Sequence, residues 1–87
     1  MFEISILLSG KANETKYFQI INYSDRSLTY DLTWPGHRVI VDPYHGIVKP
    51  RTTIGVCVAI KELVEGEGLL PWSGEIHVTC DGQHKVS

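Results

Sequence analysis

An all-β sandwich is the fold this sequence predicts, on three observations. From Phe18 to Trp34 the apolar residues recur at every second position: Phe18 and Ile20, then, across a polar turn, Leu28, Tyr30, Leu32 and Trp34. A period of two puts one face of a strand in the core and the other in water. Two later runs, Thr52 to Ile60 and Ser73 to Cys80, repeat the pattern with many β-branched residues. Between the runs, Pro35, Pro43 and Pro50 mark strand limits, because proline cannot donate to a sheet ladder.

The elements follow in order. Phe2 to Leu8 alternates and reads as a first strand, leaving through the polar loop Ser9 to Thr15. Tyr17 to Tyr23 and Ser27 to Trp34 are the second and third strands, joined by Ser24-Asp25-Arg26, whose short side chains favour a turn. Trp34-Pro35-Gly36-His37 interrupts the third strand and Arg38 to Val41 forms a short fourth. Ile47 and Val48 make a brief strand before the long run from Thr52 to Ile60. Lys61 to Trp72 has no clear period; Gly66 and Gly68 would each cost about 1 kcal/mol in a helix, so it reads as a loop with at most one helical turn. Asp81-Gly82 after Cys80 reads as a tight hairpin turn into a last strand. A two-residue turn would set Val86 opposite His77 on the wet face. A three-residue loop with Gly82 as its bulge would set it opposite Ile76 in the core, and is preferred because it buries the valine.

About seven short strands with turns every ~8–12 residues make an immunoglobulin-like β-sandwich. The antibody-type Cys…Trp…Cys spacing is missing, since Trp34 lies on the third strand and no cysteine lies on the second. With 87 residues there is room for one core. The sequence stops at Ser87, just inside the last strand, so residues 1–87 are expected to be a single domain excised from a larger protein.

Composition narrows function. The net charge is −2 and the eight basic residues are scattered from Lys11 to Lys85, which argues against nucleic acid. No stretch approaches the ~20 apolar residues of a membrane span, and the start lacks the basic end of a signal peptide. Cys57 is out of phase with the inward Ile54, Val56, Val58 and Ile60, whereas Cys80 shares the inward phase of Ile76 and Val78. One thiol outside and one inside cannot reach the Cβ separation of about 3.8 Å that a disulfide needs. Reduced cysteines suit the cytosol.

Several of these residues together resemble a known superfamily, the major-sperm-protein and PapD-like sandwiches, and within it the ASH domains, named for abnormal spindle, spindle-defective and hydin proteins. The resemblance rests on an apolar-x-apolar-x-Asn strand (Phe18, Ile20, Asn22), on Ser24 in the turn and on Tyr30 in the next strand. It also rests on Val41-Asp42-Pro43-Tyr44-His45-Gly46-Ile47-Val48-Lys49-Pro50, which is similar to the superfamily's Val-x-Pro-x-x-Gly-x-x-x-Pro connection, and on Gly74-Glu75-Ile76-His77-Val78. The wording is most like a domain of the large centrosomal scaffold related to the spindle-defective protein. The resemblance implies a PapD-type sandwich of cytoplasmic, centrosomal or cytoskeletal location that binds proteins and is not an enzyme. Asp31 stands on the third strand, where superfamily members that bind acidic peptides carry lysines, so that specificity is not implied. Independently of the resemblance, Asn22 should sit half-buried at a strand end with its amide on turn backbone groups, and Gly46 should permit positive φ at a bend.

No reactive centre emerges. His77 and Cys80 are three apart on a strand and face opposite sides, and His37 and His45 have no second pair of ligands beside them, so neither zinc nor another cofactor is expected. There is no Gly-x-Ser-x-Gly, no cysteine with a histidine placed as its base, and no P-loop. Neither catalysis nor a small-molecule substrate is expected. What remains is surface: Trp34, Tyr44, Leu69, Leu70 and Trp72 lie at strand ends or in connections, where they either close the ends of the sandwich or form a patch for a protein partner. Strand addition beside Arg38–Val41 or the short last strand is a second route. Asn13 and Asn22 each begin a glycosylation sequon, which sustains the alternative of an extracellular immunoglobulin-like adhesion or receptor domain, although the inward phase of Asn22 opposes it.

Overall fold

The computed structural model describes residues 1–62 and 70–87, and among these the alternation plays out as eight strands. They are β1 (Phe2–Gly10), β2 (Thr15–Ile21), β3 (Leu28–Thr33), β4 (Val39–Asp42), β5 (His45–Val48), β6 (Thr53–Ile60), β7 (Trp72–Cys80) and β8 (Lys85–Val86). Two four-stranded antiparallel sheets, ordered β1-β7-β3-β5 and β4-β6-β2-β8, form the sandwich. Strand positions match the sequence reading to within about two residues at each end, with β5 lengthened to take in His45 and Gly46. The loop expected at Lys61 to Trp72 mostly falls on residues 63–69, outside the described residues.

Parity decides the core. Phe18 and Ile20 of β2, Leu28, Tyr30 and Leu32 of β3, Val56, Val58 and Ile60 of β6, and Ile76, Val78 and Cys80 of β7 all point inward. Val39, Val41, Val48 and Trp72 complete the interior. Each such side chain contributes roughly 1.5–3 kcal/mol by leaving water.

The expected hairpin at Asp81-Gly82 is not formed. β8 pairs instead with β2 in the other sheet, Ile20 opposite Val86 and Ile21 opposite Lys85. Gln19 and Ser87 extend this by exchanging both backbone bonds, at 2.8 and 3.0 Å. The reason is that β7 has no free edge at its end: Cys80 is already flanked by Phe2 of β1 and by Tyr30 of β3. Both registers weighed for the hairpin are thereby excluded. Asp81 turns the chain away by donating its N–H to Thr29 O and accepting Thr29 N–H on Oδ1 at 2.9 Å. Gly82 serves close approach, since a Cβ there would lie 2.4 Å from Leu28 Cδ2.

Asn22 is fully buried, at 1% exposure, where half-burial was expected. Its Nδ2 donates toward three carbonyls, Arg26 O at 2.7 Å, Val48 O at 3.0 Å and Lys49 O at 3.2 Å. Its Oδ1 accepts from Ser24 N at 3.0 Å and Ser24 Oγ at 2.7 Å. The first set links the end of β2 in one sheet to the end of β5 in the other. A buried amide so placed leaves no room for a glycan, which removes the Asn22 sequon as an acceptor.

Gly46 does take positive φ, at +156°, inside β5. A Cβ there would stand 3.2 Å from both Cε1 and Oη of Tyr30, so glycine also makes space for the buried ring. Cys57 is half-buried, Cys80 is buried, and the two lie in different sheets as free thiols. Burial pushes the Cys80 thiol from 9.0 up to about 11, with the Asp81 carboxylate adding to the effect. Burial also raises Tyr30, helped by Asp42 and Cys80.

Three outcomes are expected. Asn22→Ala should destabilise the domain by about 2 kcal/mol, and Asn22→Asp, which turns an acceptor toward the three carbonyls, by about 4 kcal/mol in urea unfolding. Gly46→Ala should cost about 2 kcal/mol, because it combines forbidden φ with crowding of Tyr30. The raised Cys80 value stabilises the fold fully below pH 9 and is lost as pH climbs toward about 11. Unfolding curves across that window should fall more steeply for the parent than for Cys80→Ala; equal slopes would refute the assignment.

Candidate protein-binding site

Between β4 and β5 the chain steps from one sheet to the other through Pro43 and Tyr44, with the Asp42–Pro43 peptide in the cis form. Tyr44 is pinned through its backbone, its carbonyl accepting Leu32 N–H at 2.8 Å. Its side chain is left half-exposed, at 50%. The ring stands edge-on to Trp34, with centroids 6.2 Å apart at 73°, and edge-on to His45 at 4.5 Å and 65°. Trp34 is half-buried and packs against the core, so it roots this aromatic step in the rigid interior. Such a ledge, apolar with polar tips, is what a protein partner desolvates most profitably.

The other nominated residues separate. Leu70 is exposed, at 57%, and its carbonyl accepts from the Arg38 guanidinium, whose Nε donates to Lys61 O at 2.9 Å. Arg38 thus ties together the two ends of the described chain around residues 63–69. Leu69 lies outside the described residues. Trp72 is not a surface residue: it belongs to the core cluster at 9% exposure. Gly10 is its cross-strand partner and Gly74 lies under its ring, where a Cβ would come within 2.6 Å of the indole. Its parity with Ile76 and Val78 carried that information in the sequence.

His45 completes the aromatic step and was not singled out as a contact residue. Exposed apolar residues at outward strand positions were also missed: Leu7 and Tyr17 at 74%, Ile47 at 65% and Ile40 at 54%. The signal was present, because Leu7 lies between inward Ile6 and Leu8, and Ile40 between inward Val39 and Val41.

On the outer face of the first sheet, Ser5 Oγ lies 2.8 Å from His77 Nδ1, with Glu3 at 3.7 Å and Glu75 at 3.9 Å from the imidazole. This is not the geometry of a nucleophile relay. Ser5 and Glu3 approach the same ring nitrogen, and Glu75 is beyond hydrogen-bonding range of the other. Two shallow depressions, of about 250 and 190 Å³, lie elsewhere, beside Arg26 and Asp81 and beside Phe2 and His84. Among the described residues, no group of three or more His, Cys, Asp or Glu is placed to hold a metal ion. Among them, too, no helix is long and apolar enough to cross a membrane.

Taken together, the fold and its exposed chemistry define a small β-sandwich domain whose projecting side chains are aromatic and aliphatic. The chain belongs to the family described as Cep192 domain 6, whose model matches residues 2–87. It is similar to the centrosomal protein of 192 kDa from Homo sapiens, with 40% identity over 75 residues, which is 84% of this chain and 3% of that protein. The chain therefore spans a very small part of the length of the curated relative it matches. No solved structure matches it.

Proposed function

We propose that this domain is a non-catalytic protein-binding module of a large centrosomal scaffold, located in the cytoplasm, with Tyr44 as the side chain a partner buries, Trp34 as its anchor and His45 beside it. Family membership and the likeness to a centrosomal protein support the setting. The resemblance of the Val41–Pro50 connection to ASH and major-sperm-protein domains supports an interaction role in place of an enzymatic one. The observation that carries the site is the half-exposed Tyr44 ring, held from behind by Trp34 and through its backbone by Leu32. A pre-organised aromatic costs little entropy on binding. Leu70 is a second exposed contact at the Arg38 end. The partners are proteins; nucleic acid, membrane insertion and small-molecule substrates play no part in this reading. Burial of Asn22 disfavours the extracellular alternative, leaving Asn13 as the exposed sequon.

A fluorescent fusion of the domain expressed in dividing cells tests this reading. The parent should concentrate at centrosomes, and Tyr44→Ala should lower that enrichment about tenfold while the melting temperature moves by no more than about 2 °C. Trp72→Ala should behave differently, losing about 3–5 kcal/mol of stability. A uniformly distributed parent would overturn the centrosomal setting, and full enrichment of Tyr44→Ala would overturn the site.

A further inference from the structure

A sandwich of two open sheets has four edges, and two of those here, β4 and β5, are poor templates for another strand. They have four residues each and meet at Pro43, with Pro50 following β5. Short strands and flanking prolines are the usual means of blocking edge pairing. β1 carries none of these devices. It is nine residues long, contains no Pro, Lys or Arg, and has Glu3 as its one charge. All nine residues pair with β7 on one side, and β1 ends the sheet on the other. Every second residue therefore turns its N–H and C=O away from β7. Ile4, Ile6 and Leu8 face inward yet stay only half-buried, and Leu7 on the outer face is 74% exposed.

We infer that the free edge of β1 pairs with β1 of a second copy of this chain, antiparallel about a two-fold axis through Ile6. The strand is complementary to itself in that register. Ile4 falls opposite Leu8 of the other copy, Phe2 opposite Gly10, and Ser5 opposite Leu7, so all nine residues are used. Glu3 falls opposite Ser9, and no like charges meet; a parallel in-register pairing would set Glu3 beside Glu3. An axis normal to the sheet keeps both inner faces on one side. Ile4, Ile6 and Leu8 of each copy then form one apolar strip across the seam, covering side chains that the single sandwich leaves half-wet. The product is a continuous eight-stranded sheet, ordered β5-β3-β7-β1 in one copy and the reverse in the next, closed by its own symmetry. This inference goes beyond the scaffold reading and does not rest on it, because Tyr44 lies at the β5 side of the same sheet, with β3 and β7 between β5 and β1.

Sedimentation equilibrium of the 87-residue chain provides the test. A monomer–dimer equilibrium is expected, with Leu7→Lys raising the dissociation constant at least about tenfold by placing an ammonium group at the seam on each side of the axis. Ile47→Lys, a change at another exposed aliphatic position, on β5, should leave it unmoved. Amide exchange should show alternate β1 residues protected in concentrated samples and released on dilution. A monomer mass up to about 1 mM would overturn the inference. So would a dimer indifferent to Leu7→Lys, or one whose β1 amides exchange alike at both concentrations. None of these outcomes alters the fate of Tyr44→Ala at the centrosome, so the two readings fail separately.

Discussion

One buried amide holds the two sheets together at the end where the chain must turn back. Asn22 leaves β2 with its side chain directed into the sandwich, and its Nδ2 meets carbonyls from the β2–β3 turn and from the end of β5. Arg26 O and Lys49 O also accept from Ser24 Oγ and from Thr52, so the amide joins carbonyls of the turn and of the β5 end into one hydrogen-bonded cluster. The same side chain accepts from Ser24, which shapes the turn. An aliphatic residue would fill the space and lose the bond to Val48 O; a carboxylate would oppose the carbonyls. The amide thereby fixes the end of β5 against the end of β2.

From that anchor the rest follows by parity and by saturation of edges. From His77 to Cys80 β7 lies between β1 and β3, so its backbone there is satisfied on both sides and the chain beyond Cys80 has to leave the sheet. It crosses to β2, which offers an edge at Gln19 to Ile21. Successive strands alternate between the two sheets, so the β7-to-β8 crossing is one of several covalent ties, to which the Asn22 amide adds a side-chain tie. Tyr44 is mounted on the crossing between β4 and β5, whose backbone is bonded to Leu32 in the middle of a core strand. A side chain presented in this way has little freedom to lose when a partner covers it, and this gives the candidate site physical content beyond its exposure.

Membership of the Cep192 domain 6 family and this architecture point the same way. The Ser5–His77–Glu3–Glu75 cluster lies on the outer face of a sheet, with Ser5 and Glu3 at the same ring nitrogen and Glu75 beyond hydrogen-bonding range of the other, which suits a surface network. What the surface offers instead is shape and apolar area: the Trp34–Tyr44–His45 step at one side of the first sheet and the edge of β1, with Glu3 as its one charge, at the other.

The sequence by itself determined the fold class, the approximate limits of the strands, the inward and outward parity of Cys57 and Cys80, the role of Asn22 and the positive φ of Gly46. Each of these depends on a residue and its near neighbours, through alternation, ring constraints or local hydrogen bonding. The partner of the last strand was decided only by tertiary structure. Asp81-Gly82 carries the local signature of a hairpin, but whether a hairpin can form depends on whether β7 has an empty edge, which is settled by β1 and β3 from distant parts of the chain. Burial at strand ends was decided in the same way. Trp72 and Tyr44 are both aromatic residues beside prolines, yet one is enclosed because Gly74 makes room for its ring, while the other stands half-exposed on the connection between β4 and β5.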